Sequence, residues 1–134
     1  MKQAQAQQKL LQILQAENKA MSAYQLLEKA KPYGFHAPMQ VYRALKQLCE
    51  QKLILKLNTL NLYIASVANF DRPYQILTVC THCKHVQSIA IPKFDRCIKR
   101  SLNTKKFNPK CEYLEVLGQC FSCLSKHGNP TILK

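Results

Sequence analysis

The chain of 134 residues carries 20 Lys and Arg against 7 Asp and Glu, a formal charge of +13 at pH 7, with 47% hydrophobic residues, 3 Gly and no Trp. That length suits one ordinary domain or two small ones, and an ordinary apolar fraction with scarce Gly excludes collagen-like, mucin-like and disordered compositions. No apolar run approaches the roughly 18 residues of a bilayer span, and the start, from Met1 to Gln8, has no apolar signal core. The expectation is a soluble cytoplasmic protein with no membrane partner.

The positive charge is not a tail. Residues 1–66 hold 9 basic and 3 acidic side chains, and residues 67–134 hold 11 and 4. A field spread over both halves favours polyanions, nucleic acid first and an anionic membrane surface second. Seven cysteines in a chain without an export signal read as metal ligands or redox centres rather than disulfides.

In chain order, Ala6, Leu10, Ile13 and Leu14 recur at helical spacing from Gln5 to Ala16. Ser22 and Gln25 then form a capping box, with Met21 and Leu26 as its hydrophobic staple. The helix they open runs through Leu26, Leu27 and Ala30 and ends before Pro32-Tyr33-Gly34. A third helix opens near Pro38 with the apolar stripe Val41, Ala44, Leu45 and Leu48. Leu53 to Leu57 and Asn61 to Ala65, around a turn at Asn58-Thr59, predict a hairpin. Three short helices followed by a hairpin make a winged helix-turn-helix.

Ser66 to Tyr74 lacks periodicity and reads as a linker. Beyond it Gln75–Val79 and Val86–Ile91 are strand-like, and Pro92 opens a helix with Phe94, Cys97, Ile98 and Leu102 on one face. Asn103 to Lys110 is a basic loop, and Tyr113–Leu117 a third strand. The expected fold is therefore α+β: a winged-helix domain (1–66), a hinge (67–74) and a small α/β domain (75–134) bounded by cysteine pairs.

Those pairs, Cys80-Thr-His-Cys83 and Cys120-Phe-Ser-Cys123, carry the strongest chemical signal. Two intervening residues let both thiolates of a pair face one tetrahedral ion, and two such knuckles complete a closed four-cysteine zinc site. A closed site is structural, one zinc per monomer. The 36 residues between Cys83 and Cys120 are filled by the β-β-α-β unit, with the pairs meeting where its first and last strands come together. A dithiol redox reading is weaker, because neither pair is expected at a helix N-terminus that would lower a thiol pKa. Cys49 and Cys97 lie beside apolar stripes and are expected in the core. His82 and His85 are expected as exposed turn residues, and His36 and His127 in loops.

Opposite the stripe of the third helix lie Gln40, Arg43 and Gln47, with Tyr42 and Lys46 at the flanks. Gln pairs with an adenine edge and Arg bidentately with guanine in the major groove, while Lys46, Lys52 and Lys56 suit phosphates.

Together, Met21-Ser-Ala-Tyr-Gln-Leu-Leu27, Ala37-Pro-Met-Gln-Val-Tyr-Arg-Ala-Leu45, a wing and two C-x-x-C pairs resemble the ferric uptake regulator (Fur) family, most closely its zinc uptake regulator (Zur) branch. The resemblance covers nearly the whole chain. It implies a dimeric bacterial repressor, with a C-terminal dimerisation domain, that binds A/T-rich inverted repeats in double-stranded DNA. It assigns DNA contacts to Tyr24, Tyr42 and Arg43, and structural zinc to Cys80, Cys83, Cys120 and Cys123. Gln40 stands where the family usually has Thr.

The resemblance also implies a second, regulatory metal site, and here the sequence departs from it. Leu55 or a neighbour replaces a His at the wing, Val86-Gln87-Ser88 occupy an acidic ligand's place, and Leu117 stands at another ligand position. The hinge offers only Asp71, and one carboxylate makes no tetrahedral site. The usual sensor is therefore expected to be absent or degraded, unless Asp71 joins His82 or His85 in a relocated one. A zinc-ribbon-type RNA-binding or protein-interaction module is the alternative, although Tyr24, Tyr33 and Tyr42 are too scattered for base stacking. A thiol oxidoreductase ranks third. No acid-base dyad, nucleophile elbow or phosphate-cradling Gly loop is visible, so neither an enzyme nor a small-molecule substrate is expected.

Overall fold

The computed structural model describes residues 3–17, 19–65, 75–109 and 113–127. The chain divides into two compact units, 1–66 and 67–134. The expected hinge, with Asp71, lies outside the described residues, as does Cys111.

The first unit contains α1 (Gln3–Ala16), α2 (Ala23–Ala30), α3 (Pro38–Glu50) and the antiparallel hairpin β1 (Ile54–Leu57) and β2 (Leu62–Ala65), a winged helix-turn-helix. The capping box forms as its sequence requires. The Ser22 hydroxyl accepts from the Gln25 N–H, and the Gln25 side chain accepts from the Ser22 N–H. Met21 and Leu26 on either side of it are buried, as a staple demands. A 3-10 turn, Lys31–Tyr33, then reverses the chain at Gly34, whose φ of 101° suits a residue without Cβ.

Val41, Ala44, Leu45 and Leu48 all point inward and join Leu10, Leu14, Leu26, Phe35, Ile54 and Tyr63 in one core. The wing is tied to the helices by backbone: Met21 and Tyr63 exchange two N–H···O bonds of 2.9 and 2.7 Å. Cys49 is half-buried against this core.

The second unit is a three-stranded sheet of order β4-β3-β5, where β3 is Gln75–Cys80, β4 Val86–Ile89 and β5 Tyr113–Gly118. β4 runs antiparallel to β3, while β5 runs parallel to it and pairs Cys80 with Gly118. Between β4 and β5 lies α4 (Phe94–Thr104), and α5 (Phe121–His127) closes the described chain.

Three expectations are corrected. The helix after Pro92 begins two residues later, at Phe94, with Lys93 at a φ of 64° before it. Cys97 is exposed rather than in the core. At about 100° per residue it stands a full step from Ile98, and half-burial follows Phe94, Ile98 and Leu102 instead. His127 ends the helix α5 rather than sitting in a loop. Among the described residues, no helix is long and apolar enough to cross a membrane.

Candidate functional site

The parallel pairing of β3 with β5 is what assembles the cysteine cluster. Cys80 ends β3, and the chain turns back through Thr81-His82-Cys83, closed by Lys84 N–H to Cys80 C=O at 2.9 Å. Lys84 adopts a φ of 66° to complete this knuckle. Across the sheet, Gly118 C=O accepts from the Thr81 N–H at 2.8 Å and from its hydroxyl at 3.2 Å, which ties the first knuckle to the end of β5. Two residues later Cys120 leads into α5, whose first turn holds Cys123.

The four sulfurs consequently lie within 4.8 Å of one another. A tetrahedral ion with metal–sulfur bonds of about 2.3 Å requires sulfur–sulfur edges of ~3.8 Å, and Cys83 Sγ stands 3.7 Å from Cys120 Sγ. The donor set and its size both fit a tetrahedral soft-ligand metal site. Among the described residues these four form the only grouping of three or more His, Cys, Asp or Glu able to hold a metal.

Electrostatics make the same demand. Burial by itself raises the Cys80 thiol, but N–H groups of Cys120, Cys83 and His82 stabilise its thiolate and bring it down to about 5. Cys123 is pushed up to about 12, by burial first and then by the sulfurs of Cys120, Cys80 and Cys83. Four thiolates held so close would repel one another, and a divalent cation would offset that repulsion. The second pair does sit at a helix N-terminus, contrary to expectation. Residues 121–127 carry too short an apolar pattern for α5 to be read from periodicity.

Among the described residues, the wing, β4 and β5 positions where the resemblance calls for regulatory ligands hold no His, Cys, Asp or Glu. Leu55 is half-buried in β1, Val86, Gln87 and Ser88 form β4, and Leu117 is exposed on β5. Ser88 instead accepts a hydrogen bond from Gln75. His82 is exposed in the turn as expected, but His85 is half-buried, where its carbonyl accepts from the Cys80 N–H at 2.9 Å.

On α3, the face opposite the buried stripe exposes Met39, Tyr42, Arg43 and Lys46. Tyr24, in the first turn of α2, is 71% exposed and Tyr42 49%, high for aromatic side chains. Two glutamines of this helix have other partners. The Gln40 side-chain oxygen accepts from the N–H groups of His36 and Ala37 at 2.8 and 3.2 Å, capping the start of α3. Gln47 accepts from Gln7 of α1, and Gln7 in turn accepts from Gln51 at 3.3 Å. Gln47 is thereby turned toward α1, away from the outward face expected of it, and the polar pairing fixes α3 against α1. The signal for the cap was present in the spacing of Gln40 behind Ala37 and Pro38.

The architecture is thus a winged helix-turn-helix in one unit and a four-cysteine cluster able to hold a metal in the other. No family profile and no curated protein sequence matches the chain. Solved structures do. A zinc uptake regulator complexed with zinc and DNA superposes with a TM-score of 0.78 at 24% identity, over 90% of this chain and 82% of that one. Holo XcZur gives 0.74 at 24% identity, covering 90% and 84%. The ferric uptake regulator of Francisella tularensis with iron gives 0.62 at 21%, covering 89% and 91%. The fold is that of the Fur and Zur regulators.

Proposed function

We propose that the protein is a sequence-specific DNA-binding regulator of the Fur/Zur type, not an enzyme. It acts as a homodimer on A/T-rich inverted repeats, most simply as a repressor. The observation that carries the reading is the outward face of α3: Tyr42, Arg43 and Lys46 are exposed on a helix held rigidly by its buried stripe and its own caps. Arg43 reads a guanine edge, Lys46 positions the helix on phosphates, and Tyr42 and Tyr24 contact the backbone. The edge strands β4 and β5 and the exposed apolar residues Ile89, Val116 and Leu117 support a second copy of the chain as partner.

The metal in the four-cysteine centre is zinc, one per monomer, held by Cys80, Cys83, Cys120 and Cys123. Thiolate ligands in a tetrahedron favour zinc over harder cations, and a closed shell leaves no position for chemistry, so its role is to hold the second unit together. Leu55, Val86, Gln87, Ser88 and Leu117 supply no second site. A ligand shifts a conformational equilibrium only through differential affinity for its two states, so DNA binding here is not switched by the family's usual metal sensor.

The test is duplex binding by wild type and Arg43→Ala, followed by fluorescence anisotropy on the cognate inverted repeat. The variant is expected to lose roughly 1–3 kcal/mol of specific binding with the fold intact. Unchanged affinity of Arg43→Ala for that site removes α3 as the reading element.

A further inference from the structure

The second unit has a strongly charged face that the proposed function does not use. Within α4, Arg96, Lys99 and Arg100 recur at i, i+3 and i+4, and all three are exposed. Lys93 precedes the helix, and Lys105 and Lys106 follow it, also exposed. Lys93 and Lys106 adopt left-handed backbone, with φ of 64° and 54°.

Between residues 93 and 106 there are thus six cations and a single acid, Asp95. Asp95 lies in the first turn of α4, where an anion complements the helix dipole. None of the six makes an ion pair among the described residues. Arg96 and Arg100 are like charges at i, i+4, a pairing that disfavours a helix.

The two sides of the helix differ sharply. Phe94, Ile98 and Leu102 form the half-buried stripe, and Arg96, Lys99 and Arg100 lie on the opposite side with Asn103. A helix that lies on a lipid surface would need its apolar side free, and here that side is the half-buried one. What remains free is a cluster of three cations over about 6 Å of helix rise, the span of about two phosphates along one strand of B-form DNA, with Lys93, Lys105 and Lys106 at the two ends of the helix.

We infer that the exposed basic face of α4, with Lys93, Lys105 and Lys106 at its ends, is a second nucleic-acid contact that binds the phosphate backbone of duplex DNA without reading sequence. It deepens the regulator reading: α3 chooses the site, and α4 adds salt-sensitive affinity that is the same for any sequence.

The experiment uses the full zinc-loaded chain and a random-sequence 30-base-pair duplex alongside the cognate repeat, titrated over a range of KCl. The Arg96→Gln/Lys99→Gln/Arg100→Gln variant is expected to bind both duplexes at least about tenfold more weakly at low salt, with the slope of log K against log salt reduced by about 2–3, at ~0.9 per phosphate lost. Its zinc content and circular dichroism match wild type, and the charge-conserving Arg96→Lys/Arg100→Lys variant keeps the wild-type slope.

An unchanged slope in the triple variant overturns the inference even if site-specific binding by α3 is normal. Weakened random-duplex binding with no preference for any site keeps the α4 contact and refutes the regulator reading. If wild type binds neither duplex, both fall. Loss of binding to vesicles of phosphatidylserine and phosphatidylcholine, with duplex binding unaltered, reassigns the face to a membrane and overturns the inference.

Discussion

Cys80→Ser removes one corner of the metal centre, and its consequence can be sized from what else holds the second unit together. Among the described residues of that unit, the buried apolar side chains beside the cysteines are Leu77, Val79 and Leu124. Full burial of each contributes about 1.5–3 kcal/mol, less than ~10 kcal/mol together. A structural Zn²⁺ contributes on the order of 10–16 kcal/mol of apparent folding energy. A zinc bound here would therefore be at least as large a term as the core beside it. The first unit is built differently, with more than a dozen buried residues around Leu26, Phe35 and Leu45 and, among its described residues, no grouping of three or more His, Cys, Asp or Glu able to hold a metal. Cys80→Ser is expected to abolish zinc retention and expose residues 75–127 to proteolysis, while residues 3–65 keep their cooperative transition. Elemental analysis, limited proteolysis with mass mapping and thermal circular dichroism read the three quantities. A zinc-free Cys80→Ser protein with a protease-resistant second unit would refute the structural role of the site.

Gln40→Ala strips the acceptor from the N–H groups of His36 and Ala37 and is expected to cost about 0.5–2 kcal/mol in urea unfolding, the usual range for a lost cap. The bases selected by the protein should not change, and an altered consensus would instead make Gln40 a base contact. Leu45→Ala opens the centre of the first core and is expected to cost about 2–5 kcal/mol by the same assay; a loss below 0.5 kcal/mol, roughly the scale of a surface change, would contradict the packing. Glu17 is held below the ordinary carboxylate range, chiefly by its hydrogen bond from Lys29. Its stabilising contribution is present above the unfolded-state pKa and is lost as pH falls through the lowered folded-state value. An NMR titration should find a depressed Glu17 midpoint that Lys29→Met restores, and equal midpoints in the two proteins would remove the pair.

Much of the first unit was legible because its signals are local. A capping box, a staple and an i, i+3, i+4, i+7 stripe each use residues within one or two turns, and Ser22, Gln25, Met21 and Val41 to Leu48 behave as those patterns require. The cysteine pairs were legible for the same reason, since C-x-x-C is a knuckle in itself. What the sequence did not disclose depends on partners far along the chain. The parallel register that sets Cys80 against Gly118 is a pairing across 38 residues, and no local pattern announces it. Gln47 looks outward on its own helix, but Gln7 of α1, 40 residues away, engages it. α5 is only seven residues long and begins inside the second knuckle, where the metal-binding pattern masks a helical one. Cys97 misleads for a different reason, because a cysteine next to Ile98 is easily counted into a stripe it only borders.

The central claim is that α3 reads a duplex, and selection from a pool of randomised double-stranded DNA tests it most directly. Zinc-loaded wild-type protein should enrich an A/T-rich inverted repeat over successive rounds, and Arg43→Ala should fail to enrich it at the same protein concentration. A wild-type pool that stays random, or an Arg43→Ala protein that recovers the same repeat, would contradict the account.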